Sequence, residues 1–368
     1  MLTLALVLVC IVGIDAAITR TPILWHHASF ENTRDMTRVV FGHTYRAARH
    51  IYGPKPDAGV HVALLGNSRI WLPAQEAYVQ RALADIAPEM DARVHNLGIF
   101  GARIGDLEVL SRHLATLDPT LVVLAISGWD LVSTPLIGLE NLPSRLLRVG
   151  WHSGPLPQTV TERLDQWLRT LWPLYRFREF TAAAIADRFV PETGIAPFPD
   201  RFPDSRTVFE HVDAETADEV ERAYRAWRSA PTFAGYLEYL NVSSPGHLDV
   251  VQHRVSTGSR VDENGAALRV LDVLLARLAR GPAKAVVLLL PENPVLDDDA
   301  EGEYHRTGFS DATAALVGVV ARRHGVPLID GRRWMPAEAF LDLNHLMPDL
   351  SGFQRPLAEM MVRELAEP

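Results

Sequence analysis

HVALLGNSRIWLP, residues 61–73, decides the fold. Its apolar run begins at Val60 and stops after Leu65, at the turn Gly66-Asn67-Ser68-Arg69, where a helix-forming segment takes over. A near-continuous apolar run followed by a helix is the pattern of a strand buried on both faces of a parallel sheet. Ligands of such sheets bind at the carboxyl ends of the strands, so the Ser68 hydroxyl stands where chemistry is done. The plainer alternative is that Asn67 or Ser68 simply caps the helix.

Outward from this stretch the pattern repeats. Apolar runs recur at Arg93 to Leu97, Leu121 to Ile126, Ala285 to Leu290 and Val326 to Ile329. Helix-period segments fall at Gln75 to Ile86, Ile104 to Leu117, Val261 to Arg280, Asp311 to Arg323 and Gly352 to Leu365. In the third of these, Leu268, Leu271, Leu274, Leu275 and Leu278 form one stripe. Strands alternating with such helices predict βαβ crossovers and a three-layer α/β/α sandwich on a five-stranded parallel sheet.

From 131 to 258 the alternation breaks, and an insertion is predicted there. Thr159 to Val190 reads as amphipathic helix rich in Trp and Tyr, Pro191 to Arg206 is proline-rich, and Ala214 to Ser229 is a charged helix. An excursion of this length is read as a cap or partner-binding lobe beside the crevice, with structural padding as the alternative. The acidic stretch Asp297 to Tyr304 lacks the ligand spacing of a calcium loop and reads as solvated loop.

Bulk properties exclude whole classes. The 368 residues are 48% hydrophobic and 22% charged, an ordinary globular balance. Net charge is −9, with 36 basic against 45 acidic residues and no long basic run, which argues against nucleic acid as a partner. One cysteine, Cys10, excludes an internal disulfide framework, and no His-Glu-x-x-His or paired cysteines mark a metal site. No cofactor is expected.

Location is read from the N-terminus. The apolar run from Leu2 to Ile14, extended through Ala16, Ala17 and Ile18, nears the ~17 residues at the short end of a membrane span. Residues 1–19 are therefore expected to anchor the chain in a membrane, or to be a signal peptide cleaved near Asp15-Ala16-Ala17. Either reading exports the remainder: a linker and N-terminal helix over 20–59 and the α/β domain over 60–368.

A serine nucleophile needs a base to take its proton and a carboxylate to orient that base. After the fifth strand, FLDLNHLMPDLSGF carries Asp342 and His345 three residues apart, in a loop that opens on the same sheet edge as Ser68. A loop with an Asx-turn and a solvent-facing histidine is the competing reading.

Taken in order, these segments resemble the SGNH (GDSL-like) hydrolases. That family's Gly-Asp-Ser block is matched by Gly66-Asn67-Ser68, its second block by NLGIFGAR with Gly101 at the oxyanion-hole glycine, and its last by Asp342 and His345. Its third block, Gly-x-Asn-Asp, is replaced by Ser127-Gly128-Trp129-Asp130, which puts Trp129 and its indole N–H at the usual Asn position. The resemblance implies a flavodoxin-like sheet, a triad of Ser68, His345 and Asp342, and an oxyanion hole from the Ser68 and Gly101 N–H groups, with Asn67 or Asn344 as nearby amides.

Within the family, the N-terminus, the GNSR turn, the insertion and FLDLNHL look most like membrane-anchored, extracytoplasmic members that accompany membrane-bound O-acyltransferases. That likeness implies a serine esterase or O-acyltransferase acting on acyl esters, acetyl above all, of envelope or exported polysaccharide. The alternative is a catalytically silent subunit that keeps the fold and uses the insertion to hold a glycan or a membrane partner, motivated by Trp129, Trp167, Trp172 and Tyr175.

Overall fold

The computed structural model describes residues 36–55, 57–131, 217–243, 265–297, 309–348 and 351–367, with scattered positions at 3–17, 160–181, 261 and 263. At its centre, β1 (Val60–Leu65), β2 (Ala92–Asn96), β3 (Leu121–Ile126), β4 (Lys284–Leu289) and β5 (Leu328–Asp330) form one sheet. Every pairing is parallel and the order is β2-β1-β3-β4-β5. This is the predicted three-layer α/β sandwich, with strand bounds within two residues of those read from sequence.

The apolar runs are continuous because both faces of the sheet are covered. Ala63, Leu65, Val122, Leu124 and Ile126 pack under α1 (Met36–Tyr52), α4 (Ile104–Ser111), α6 (Ala266–Arg280) and α7 (Asp311–Arg323). Val62, Leu64, Val123, Ala125 and Leu288 pack on the other face, under α3 (Glu76–Ile86) and α8 (Gln354–Ala366). Alternate residues of each strand thus serve opposite layers, the period of two that extended backbone imposes.

Three helical segments differ from their predicted bounds. The helix predicted over 104–117 ends at Ser111, whose hydroxyl donates to Glu108 O while the next two amides fold back three residues, and a short helix, α5 (Leu114–Leu117), comes next. α6 begins at 266, after its N-cap Gly265, not at 261. Of the insertion, α9 (Ala217–Ser229) and α10 (Phe233–Ser243) are described, the latter not foreseen, together with one helical turn, Pro173–Arg176, inside the predicted stretch 159–190. Most of the predicted helical stretch 159–190, the proline-rich stretch, and all of the acidic loop except Asp297 lie outside the described residues.

So does nearly all of the predicted anchor. Among the described residues, no helix is long and apolar enough to cross a membrane.

The strand order fixes where a ligand can reach. From β1 the chain crosses to β2 on one side, whereas from β3 it leaves toward β4 on the other, so a crevice opens between the carboxyl ends of β1 and β3. Ser68 follows β1 directly at this switch point.

Candidate active site

Close approach of two strands shapes the first element of the site. A Cβ on Gly66 would lie 2.7 Å from Ala125 O in β3 and 2.4 Å from Ile70 Cγ2, so only glycine lets the chain turn there. Asn67 is the N-cap of the short helix α2 (Ser68–Trp71), its Oδ1 accepting from Arg69 N at 2.8 Å. That cap places Ser68 at the first helical position. Of the two readings of the turn, the structure joins both: Asn67 caps and Ser68 faces the crevice.

Ser68 Oγ lies 2.9 Å from His345 Nε2. His345 Nδ1 lies 2.8 Å from Asp342 Oδ2. Residues 277 positions apart thus meet in a hydroxyl, imidazole and carboxylate chain. Burial pushes the Asp342 carboxyl up, but the neighbouring His345 ring and the N–H groups of Asn344 and His345 outweigh it and hold the group below the ordinary carboxylate range. An ionised Asp342 accepts a hydrogen bond from Nδ1–H, which leaves the Nε2 lone pair for the Ser68 hydroxyl.

Local backbone sets the His345 loop. Asp342 Oδ1 accepts from Asn344 N at 2.6 Å and from His345 N at 2.7 Å, an Asx-turn that curls the imidazole over its own carboxylate. On either side, Leu341 N donates to His345 O and Met347 N to Ala339 O, closing the loop like a small hairpin. Asn293, fully buried after β4, donates from Nδ2 to Asp342 O at 3.1 Å.

Other polar side chains, which the sequence pattern did not single out for these roles, lock the two halves together. Buried Arg69 donates through Nη2 to Asn344 Oδ1, tying α2 to the His345 loop. Asn67 Nδ2 donates to Asp130 Oδ1 at 2.6 Å, while Asp130 Oδ2 accepts from Ser127 N and Oγ. Burial pushes the Asp130 carboxyl up despite Arg69 and these bonds. From the insertion, Arg228 of α9 donates to Phe340 O and, at 2.6 Å, to Glu338 O. Tyr236 of α10, buried, packs with Leu343, and its phenol is pushed up by burial and by the Asp342 charge. The described part of the insertion therefore braces the His345 loop. Only their separation in sequence hid these contacts.

The positions expected to serve an oxyanion hole are placed unequally. Ile99 N donates to Gly66 O, which runs the turn after β2 beside Ser68. Gly101, in that turn, has φ +67, open to glycine and strained for other residues. Asn67 Nδ2 is engaged as a donor to Asp130 while its Oδ1 accepts from Arg69 N, and Asn344 is held through its Oδ1, which accepts from Arg69. The Trp129 side chain lies outside the described residues. Asp130, the last residue of Ser127-Gly128-Trp129-Asp130, accepts from Asn67. Among the described residues no group of three or more His, Cys, Asp or Glu is arranged to hold a metal ion.

No protein-family model matches the chain, and neither does any curated protein. Among solved structures the chain is similar to LAE5, an alpha/beta hydrolase enzyme from the metagenome of Lake Arreo, Spain, at 15% identity and a TM-score of 0.36, covering 84% of this chain and 96% of that one. The sheet order and not this likeness carries the fold assignment.

Proposed function

We propose that the protein is a serine esterase or O-acyltransferase of the SGNH type, with Ser68 as nucleophile, His345 as general base and Asp342 as its orienting carboxylate. The observation that supports this most is the continuous path from Ser68 Oγ to His345 Nε2 at 2.9 Å and on to Asp342 at 2.8 Å. Both distances suit proton transfer without rearrangement.

In the first half-reaction His345 Nε2 takes the Ser68 proton as Oγ bonds to the ester carbonyl carbon. The carbonyl oxygen becomes an oxyanion beside the Ser68 and Gly101 N–H groups. As the C–O bond to the leaving alcohol breaks, His345 hands its proton to that oxygen, and an acyl-Ser68 remains. Water, or a sugar or polyol hydroxyl, then gives a proton to His345 as its oxygen bonds to the acyl carbon, and His345 returns that proton to Ser68 Oγ as the acyl–Oγ bond breaks. The apolar N-terminal run supports an extracytoplasmic place for this chemistry, with envelope or exported polysaccharide esters as substrates and a membrane-bound O-acyltransferase as partner.

The full chain is tested with p-nitrophenyl acetate and a serine-directed fluorophosphonate. Turnover and labelling are expected in the wild type and in neither assay for Ser68→Ala. No turnover in the wild type, or labelling that survives the substitution, overturns the assignment.

A further inference from the structure

α1 lies outside the segments that carry Ser68, Asp342 and His345, yet it touches both the turn after β2 and α2, the helix that Ser68 opens. His43 Nδ1 accepts from Phe100 N at 2.9 Å, and Arg46 Nη2 donates to Gly98 O at 3.1 Å. One turn of helix therefore holds the backbone on both sides of Ile99, immediately before Gly101. The same two side chains cover Trp71, the last residue of α2: the His43 and Trp71 ring centroids are 4.0 Å apart, and the Arg46 guanidinium lies 5.2 Å from the Trp71 ring.

We propose that His43 and Arg46 are positioning residues for the oxyanion hole, fixing the turn of residues 98–101 against α2 so that Gly101 N–H and Ser68 N–H stay aimed at one point. The proposal rests on the esterase reading of Ser68.

Three observations favour this over plain packing. His43 is 2% exposed, and an imidazole there is a costly filler compared with leucine unless its polarity is used. The use is specific: Nδ1 accepts from a backbone N–H of the turn, that of Phe100, at 2.9 Å. Burial first, and the Arg46 charge second, keep the ring in its neutral form, so the Nδ1 lone pair persists as acceptor. Finally, the turn needs outside support. Ala102 N donates to Ile99 O, closing a tight turn with Gly101 at its third position, and a glycine at φ +67 supplies little stiffness of its own.

The test compares His43→Leu, which fills the space and removes the acceptor, with His43→Asn, whose amide oxygen can stand where Nδ1 stood. Arg46→Met and Arg46→Lys form the second pair, lysine retaining a donor for Gly98 O. Steady-state turnover of p-nitrophenyl acetate by the full chain is measured at 10 °C and expressed per folded molecule, with the folded fraction taken from circular dichroism. Because a lost oxyanion donor typically costs ~10²–10³ in kcat, a misaimed one is expected to cost about tenfold or more in His43→Leu and Arg46→Met. KM is expected to stay within about twofold, and the Asn and Lys variants to recover most of the rate.

Wild-type kcat per folded molecule in both His43→Leu and Arg46→Met overturns the proposal while leaving the esterase reading intact. So does a loss that the Asn and Lys variants fail to rescue. A wild type without turnover or fluorophosphonate labelling overturns the esterase reading, and this proposal with it.

Discussion

Asn67→Asp would turn Gly66-Asn67-Ser68 into a Gly-Asp-Ser sequence, yet this fold gives the acid no room. In the structure Asn67 Nδ2 donates to Asp130 Oδ1 at 2.6 Å, in a pocket where Asp130 is 8% exposed. The substitution sets a second carboxylate oxygen against the first. At that distance two full charges repel by roughly 6 kcal/mol with an effective dielectric near 20. Keeping one proton between them avoids the repulsion, as paired carboxylates do, but a carboxyl with an ordinary pKa near ~3.9 must then hold a proton at pH 7 at a cost of about 4 kcal/mol. The cheaper course wins, so the loss relative to wild type is capped near ~4 kcal/mol at pH 7 and falls to roughly 1.5 kcal/mol at pH 5.

The sign is set by linkage. The folded pair holds its proton to higher pH than the unfolded chain does, so the variant matches wild type most closely below about pH 4 and loses ground as pH rises, by about 1.4 kcal/mol per unit. Urea denaturation of both proteins at pH 5 and pH 7, with Asn67→Ser as a neutral control, measures this difference. A gap between wild type and Asn67→Asp that is the same at both pH values, within about 0.5 kcal/mol, would refute the pairing of Asn67 with Asp130.

Other contacts lead to further expected outcomes. Asp342→Asn replaces an acceptor of three N–H groups by an amide that cannot accept from all of them, and is expected to lower kcat on p-nitrophenyl acetate by two to four orders of magnitude (~10²–10⁴) with a folded protein by circular dichroism. Arg228→Met frees the carbonyls of Glu338 and Phe340, and should lower stability by about 1–3 kcal/mol in urea denaturation. It should also loosen the His345 loop, read as faster amide exchange from 341 to 347. Acid should unfold the domain through its buried histidines. His95 is held down to about 3, chiefly by burial and then by the charge of His50, and His113 to about 4, chiefly by burial and then by Arg176. Both stay neutral in the fold while the unfolded chain takes up protons below about 6.5, so the stability they carry is full above that pH and drains away as pH falls toward the folded values. His95→Gln is expected to flatten the stability profile between pH 6 and pH 4 by roughly 2–3 kcal/mol; an unchanged profile in urea denaturation counts against the buried neutral ring.

Much of the molecule was legible because its signals are local. Five apolar runs with helix-period segments between them specify a covered parallel sheet, since an interior strand must be apolar on both faces and a helix on one. The Asp342 and His345 pair was visible as a spacing of three, and Ser68 as a hydroxyl at a strand end. Those readings need only neighbours in the chain.

What the tertiary structure decided is which distant polar groups meet. Asn67 with Asp130, Arg69 with Asn344, Arg228 with Phe340 and His43 with Phe100 are 63, 275, 112 and 57 residues apart. Periodicity records which side of an element is buried, because burial repeats with the helix or strand, whereas a single hydrogen bond between remote segments depends on position and direction to within a fraction of an ångström and leaves no repeat to read. Composition and order therefore established the sheet and the edge at which Ser68 lies, and folding alone determined how that edge is held.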